Sequence, residues 1–201
     1  MLFKNRKNAG KKLSGALANY KNKRVLVLAI QRGGVQVGYE VAKYLKAKFS
    51  LVISRMLPYP GNPEACFGAV TEDGTYTVLP GIALPEYIID RIKSEQLQEA
   101  KKKAELFRNN PLPRMNSRIV ILVDDGSAMG ATMHAAIKMI RMRNPSKIIV
   151  AAPISVKEMV FSDADEVVIL EKSKRFYAVA QAYDTLHDIS DKEVIDLVQH
   201  I

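Results

Sequence analysis

The run from Ile119 to Ile140, IVILVDDGSAMGATMHAAIKMI, constrains this chain more than any other stretch, because a strand, a sharp loop and a helix start follow one another with nothing between them. Ile119 to Val123 is unbroken β-branched and leucine sequence, the pattern of a strand covered on both faces in a parallel sheet. Asp124 and Asp125 stand at its carboxyl end. Gly126, Ser127, Ala128, Gly130 and Ala131 are small enough for backbone amides to approach a ligand closely. Thr132 falls where a new helix begins, offering a hydroxyl and a positive dipole end. Amides curled at a helix start make a nest for a phosphate, whereas two carboxylates beside them suit a sugar diol or a hydrated divalent cation. A phosphorylated sugar matches both halves of the loop. The plain alternative is a strand-turn-helix corner with the acids acting as a helix cap.

A second strand, loop and helix lie upstream. Arg24 to Ile30, RVLVLAI, reads as another buried strand; Gln31, Arg32, Gly33 and Gly34 follow, then the helical pattern VQVGYEVAKYLKA. In an open parallel sheet, ligands bind beyond the carboxyl ends of strands where the order of connection reverses, so the two loops are expected to face one pocket. The third segment, Leu51 to Gly74, is expected to hold a strand ending at Arg55, a rigid Pro60 to Glu64 turn, and a hairpin closed by Asp73 and Gly74.

With these residues in view, the Asp124 to Thr132 run resembles the phosphoribosyl pyrophosphate (PRPP) signature of type I phosphoribosyltransferases, a hydrophobic strand leading to paired acids and a loop that usually ends Thr-Gly-x-Thr. QRGG resembles the pyrophosphate loop of the same family, whose Arg-Gly-Gly backbone commonly carries a non-proline cis peptide. PGNPE, with FGAVTEDG after it and RFYAVAQAYDTLHDISDKEV near the end, resembles a subgroup of predicted phosphoribosyltransferases, so that the likeness covers nearly the whole chain. Two positions depart from the family. Met129 stands where a Thr hydroxyl usually bonds the 5′-phosphate, a bond to a charged group being worth about 1.5–3 kcal/mol, with Ser127 as a candidate replacement. Met56 stands where the family often has a Lys after the Arg, reaching the diphosphate.

The resemblance implies roles residue by residue. Asp124 and Asp125 would hold the ribose hydroxyls, directly or through water on Mg²⁺; Gly126, Ser127, Ala128, Met129, Gly130, Ala131 and Thr132 would cradle the 5′-phosphate. Arg32, Gly33, Gly34 and Arg55 would take the pyrophosphate, and Asp124, Asp125 and Arg32 would carry catalysis. Tyr177 or Tyr183 would flank the acceptor. The implied reaction transfers the phosphoribosyl group of PRPP to a nucleobase-like acceptor and releases pyrophosphate. A PRPP- or nucleotide-binding regulator on the same fold is the second reading, motivated by Met56 and Met129.

Composition bears on the rivals. The 201 residues, 48% hydrophobic, suffice for one well-covered core, and no linker stands out, so a single domain over residues 1–201 is expected. No run of ~18 apolar residues occurs, which argues against a membrane span, and the one cysteine, Cys66, fits a reducing cytoplasm and a small buried hydrophobe. His134, His187 and His200 lack metal-ligand spacing. The net charge of +9 is concentrated before Val25 and around Lys101 to Arg108. It invites a nucleic-acid-binding reading, but only 7% of residues are aromatic, none is Trp, and no common nucleic-acid motif occurs. No GxxxxGK run supports a P-loop. Further buried strands are expected at Lys147 to Ile154 and Glu166 to Leu170, with helices at Leu84 to Asn109 and Asp191 to His200. The expected architecture is therefore three-layer α/β/α, a mainly parallel sheet of about five strands plus an antiparallel edge hairpin. A homodimer is among the assemblies open to such a chain.

Overall fold

The structure, a computed structural model, describes residues 2–108, 110–126, 130–156, 160–173 and 177–199. Five strands, β1 (Val25–Ile30), β2 (Lys48–Val52), β6 (Ile119–Val123), β7 (Lys147–Ser155) and β8 (Glu166–Lys172), form one parallel sheet in the order β2-β1-β6-β7-β8. The connection order reverses between β1 and β6. Those are the two strands whose following loops carry QRGG and the paired acids, so both loops open at the sheet's switch point.

Alternation along the central strands divides the core. Val25, Val27, Ile121, Val123 and Ile149 point to one face and pack on Leu13 and Leu17 beside α1 (Arg6–Ala16) and on Val37, Val41 and Leu45 of α2 (Gly34–Leu45). Leu26, Leu28, Val120, Leu122, Ile148 and Val150 point to the other, against Met133, Ile137 and Ile140 of α4 (Ala131–Arg141). Because both faces are covered, every residue of β1 is buried, which is why these strands read as continuous apolar runs.

The segment expected to be one strand to Arg55 is instead two. β2 ends at Val52, and β3 (Ser54–Tyr59) opens a separate three-stranded antiparallel sheet, β3-β4-β5, with β4 at Asn62–Thr71 and β5 at Tyr76–Val78. The break is made by Glu72. Its carboxylate accepts the Ile53 amide at 3.1 Å, its own amide donates to the Ile53 carbonyl at 3.0 Å, and Arg108 bonds its second oxygen. Ile53 is thus drawn out of the parallel ladder. The β3–β4 turn places Pro60 and Gly61 between the paired Tyr59 and Asn62, with Gly61 at φ +75°, a conformation glycine adopts without steric cost. The Asp73–Gly74 turn closes the β4–β5 hairpin: Asp73 Oδ1 accepts from Thr71 Oγ1 at 2.7 Å and from the Thr75 amide at 3.0 Å.

This second sheet is wedged between two helices. Leu57, Phe67 and Val70 pack on Ile92 of α3 (Glu86–Phe107), and Cys66 and Ala69 pack on Ala131 and Ala135 of α4. α3 also meets α5 (Asp191–Gln199) through a cluster that includes Ala100, Phe107, Ile189 and Val194. The start of α5 is held by a capping box in which Ser190 Oγ accepts the Glu193 amide at 3.2 Å and Glu193 Oε2 accepts the Ser190 amide at 2.9 Å. Among the described residues no helix is long and apolar enough to cross a membrane.

Candidate functional site

Gly33 and Gly34 adopt an ordinary helical start, Gly33 having φ −55° and ψ −42°. Space rather than backbone freedom requires them. A Cβ on Gly33 would lie 2.2 Å from Asp125 Oδ2, and one on Gly34 would lie 2.6 Å from the Val123 carbonyl oxygen. The amino end of α2 therefore rests directly on the acid loop, its partial positive charge against Asp125. The preceding Gln31–Arg32 peptide bond is cis.

Asp124 and Asp125 are adjacent but face different neighbours. Asp124 lines the cleft described below. Burial of its carboxyl, and then the charge of Asp125 beside it, push its pKa well above the ordinary 3.8. Asp125 turns to the amino-terminal helix: its Oδ2 accepts Arg6 Nε at 2.7 Å, and Arg6 Nη1 donates to the His187 carbonyl at 2.6 Å. The Tyr183 hydroxyl donates to the Asp125 carbonyl at 2.5 Å. Burial and the nearby Asp125 charge raise the Tyr183 pKa, so this phenol stays a donor. Arg6 and Tyr183 reach the loop together because Phe3 pairs with Tyr183, the Phe3 amide donating to the Ala182 carbonyl and the Asp184 amide to the Phe3 carbonyl.

Of the expected phosphate loop, Gly126 and Gly130 to Thr132 are described, while Ser127, Ala128 and Met129 lie outside the described residues. A Cβ on Gly126 would lie 2.5 Å from Val179 Cγ1. Gly130 caps α4 at φ +73°. Thr132, on the first turn of α4, faces the cleft, and its carbonyl accepts from Ser54 Oγ at 3.3 Å.

The cleft has a volume of about 660 Å³, in the range of small-molecule sites. The parallel sheet and the loops after it contribute Ile30, Gln31, Arg32 and Asp124; α4 contributes Thr132; β3 and β4 contribute Ser54, Arg55, Met56, Pro58 and Pro63; α3 contributes Gln96 and Lys103. Arg55 Nε donates to Gln96 Oε1 at 3.3 Å. Three cations, Arg32, Arg55 and Lys103, thus share a cavity with one carboxylate and a helix start, an arrangement suited to a polyanion that also carries hydroxyls. Among the described residues no group of three His, Cys, Asp or Glu is placed to hold a metal ion, so a cation here would take most of its ligands from a substrate or water.

Neither tyrosine expected at the acceptor lines this cleft. Tyr183 is buried behind the acid loop, and Tyr177 is 90% exposed. Arg6, which bonds Asp125, and Gln96 and Lys103, which line the cleft, were not expected at the site. For Arg6 a local signal existed: Ala9, Gly10, Leu13 and Leu17 follow it at helical spacing and are buried with it, which places Arg6 on the inward face.

The comparisons agree with this geometry. A phosphoribosyl transferase domain model matches residues 1–184. Two curated proteins of Mycobacterium tuberculosis, from strains CDC 1551 / Oshkosh and ATCC 25618 / H37Rv and provisionally named phosphoribosyl transferases, are each 39% identical over 96% of this chain. The chain spans 46% of their length. The crystal structure of TT1426 from Thermus thermophilus is 34% identical, with a TM-score of 0.82 over 98% of both chains. A hypothetical protein from Neisseria gonorrhoeae, solved with bound ppGpp, shares the fold alone at 11% identity and a TM-score of 0.52, over 99% of this chain and 98% of its own. A domain model covering most of the sequence, and relatives that match it nearly end to end, establish that the chain belongs to the phosphoribosyl transferase family.

Proposed function

We propose that the chain transfers the phosphoribosyl group of PRPP to a nucleobase-like acceptor and releases pyrophosphate. The observation that carries this reading is the placement of Asp124, Arg32, Arg55 and the Thr132 end of α4 around one cleft at the switch point of the parallel sheet. Asp124 holds ribose hydroxyls. The backbone amides around Gly130 to Thr132, with the Thr132 hydroxyl, hold the 5′-phosphate at the α4 dipole. Arg32, the Gly33–Gly34 backbone and Arg55 hold the diphosphate. Asp125, bonded to Arg6, fixes the Gly33–Gly34 approach and supports Asp124 from behind, with Tyr183 anchoring its carbonyl.

In the transfer the C1–O bond to pyrophosphate breaks with its electron pair leaving on the diphosphate oxygen. An acceptor nitrogen donates its lone pair to C1, and its proton passes to solvent. The residues act by positioning the two partners and stabilising the departing negative charge, so no strong base is required. Asp124 and the substrate's own oxygens fit a Mg²⁺ ion, which needs only one or two protein carboxylates beside phosphate oxygens. When bound, Mg²⁺ neutralises diphosphate charge. A cytoplasmic location fits this substrate.

The test is release of pyrophosphate from PRPP across a panel of purine, pyrimidine and smaller nitrogenous acceptors. Release with at least one acceptor is expected. PRPP binding with no release from any of them would favour the second reading, a PRPP-binding regulator, for which the observation is Met56, 52% exposed on the cleft where the family often has a Lys.

A further inference from the structure

Asp191, the first residue of α5, does not line the cleft, yet it holds two residues that do. Its Oδ1 accepts Arg32 Nη2 at 3.0 Å and its Oδ2 accepts Lys103 Nζ at 2.7 Å. One carboxylate is thus shared between a cation from the QRGG loop and a cation from α3, residues 71 positions apart in the chain. Both cations keep solvent access, the Arg32 and Lys103 side chains being 44% and 26% exposed. Such screened pairs are weak and exchangeable. The packing around them is not: α3 and α5 are fastened by Ala100, Phe107, Ile189 and Val194, so Lys103 and Asp191 stay near the cleft whichever anion they engage.

We propose that Asp191 is a resident counter-anion for the cations of the diphosphate site, and that Lys103 supplies from α3 the cation that Met56 does not supply from β3. This rests on the phosphoribosyl reading of the cleft. A diphosphate bound there competes with Asp191 for Arg32 and Lys103; it presents several negative oxygens where the carboxylate presents two, so it takes both cations and frees Asp191 to solvent. Without an anion, Asp191 keeps the two like charges from repelling. The chain thus keeps a multi-cation diphosphate site although its β3 position is apolar, and it sets that site's affinity through an internal competitor.

The competition predicts effects of opposite sign. Calorimetric titration of inorganic pyrophosphate with Mg²⁺, and separately of ribose 5-phosphate, would be run on the wild type, Lys103→Met, Lys103→Arg and Asp191→Asn, with thermal melts to establish that each variant is folded. Pyrophosphate affinity is expected to fall about tenfold in Lys103→Met, the scale of one lost charge-assisted bond, to stay near wild type in Lys103→Arg, and to rise about threefold or more in Asp191→Asn. Ribose 5-phosphate affinity is expected to move in none of them. Unchanged pyrophosphate affinity in folded Lys103→Met, or unchanged or weaker affinity in Asp191→Asn, overturns the proposal while ribose 5-phosphate binding leaves the phosphoribosyl reading standing. A wild type that binds neither ligand overturns both.

Discussion

The acid loop after β6 and the strand β3 face each other across the same cleft, yet they are built in opposite ways. Around the acid loop the approach is close: Gly33 and Gly34 leave no room for a side chain against the Asp125 carboxylate and the Val123 carbonyl, and Asp125 is tied to Arg6 and Tyr183. On β3, Arg55 and Met56 line the cleft from an antiparallel sheet, and Met56 is half exposed. One wall is therefore intolerant of change and the other is free to vary.

Substitutions on either wall would break or sharpen that contrast. The largest effect is expected from Arg6→Met, which leaves Asp125 unpaired in a setting where its side chain is only 14% exposed. Removing one partner of a buried ion pair costs about 3–5 kcal/mol, to be read from the urea midpoint. A loss below about 1 kcal/mol would mean that the acid loop tolerates change as the β3 wall does. Next, Gly33→Ala places a methyl on the Asp125 carboxylate and should cost about 1–3 kcal/mol in stability. It should also lower pyrophosphate affinity, measured by calorimetry, because the α2 amides move off the loop.

On the other sheet Asp73→Asn should cost about 1 kcal/mol, one hydrogen-bonded charge at a hairpin tip. Burial alone would raise the Asp73 pKa, but bonds from the Thr75 amide, Thr71 and Arg143 outweigh it and hold it below 3.8. With the folded-state pKa depressed, this stabilisation is present above pH 3.8 and is lost as the pH falls through the lower folded value. Thermal melts of wild type and variant should therefore differ by a constant amount near neutrality and converge in acid. Convergence at high pH instead would contradict the assignment. The smallest effect is expected from Met56→Ala, within about 0.5 kcal/mol in the same melts, since the side chain packs little. A large loss there would erase the contrast between the walls.

The same division explains what could be read from the amino acids alone. Ile119 to Val123 is the strand expected, and the strands at Val25, Lys147 and Glu166 start within a residue of expectation, because burial on both faces writes an uninterrupted apolar run. The helix expected from Leu84 to Asn109 spans Glu86–Phe107. The junction at Ile53 was illegible because Glu72, distant in sequence, competes for its backbone groups. The basic amino-terminal segment invited a nucleic-acid-binding reading, while the helical spacing after Arg6 placed that residue on an inward face. Lys103 and Asp191 belong to no local pattern; packing of α3 on α5 alone brings them together.

The most direct test of the central claim is calorimetric titration of PRPP with and without Mg²⁺, into the wild type and into Asp124→Asn, the acid that faces the cleft. The account predicts Mg²⁺-dependent binding by the wild type that is lost or strongly weakened in the folded variant. No binding at millimolar PRPP, or equal affinity in the two proteins, would contradict it.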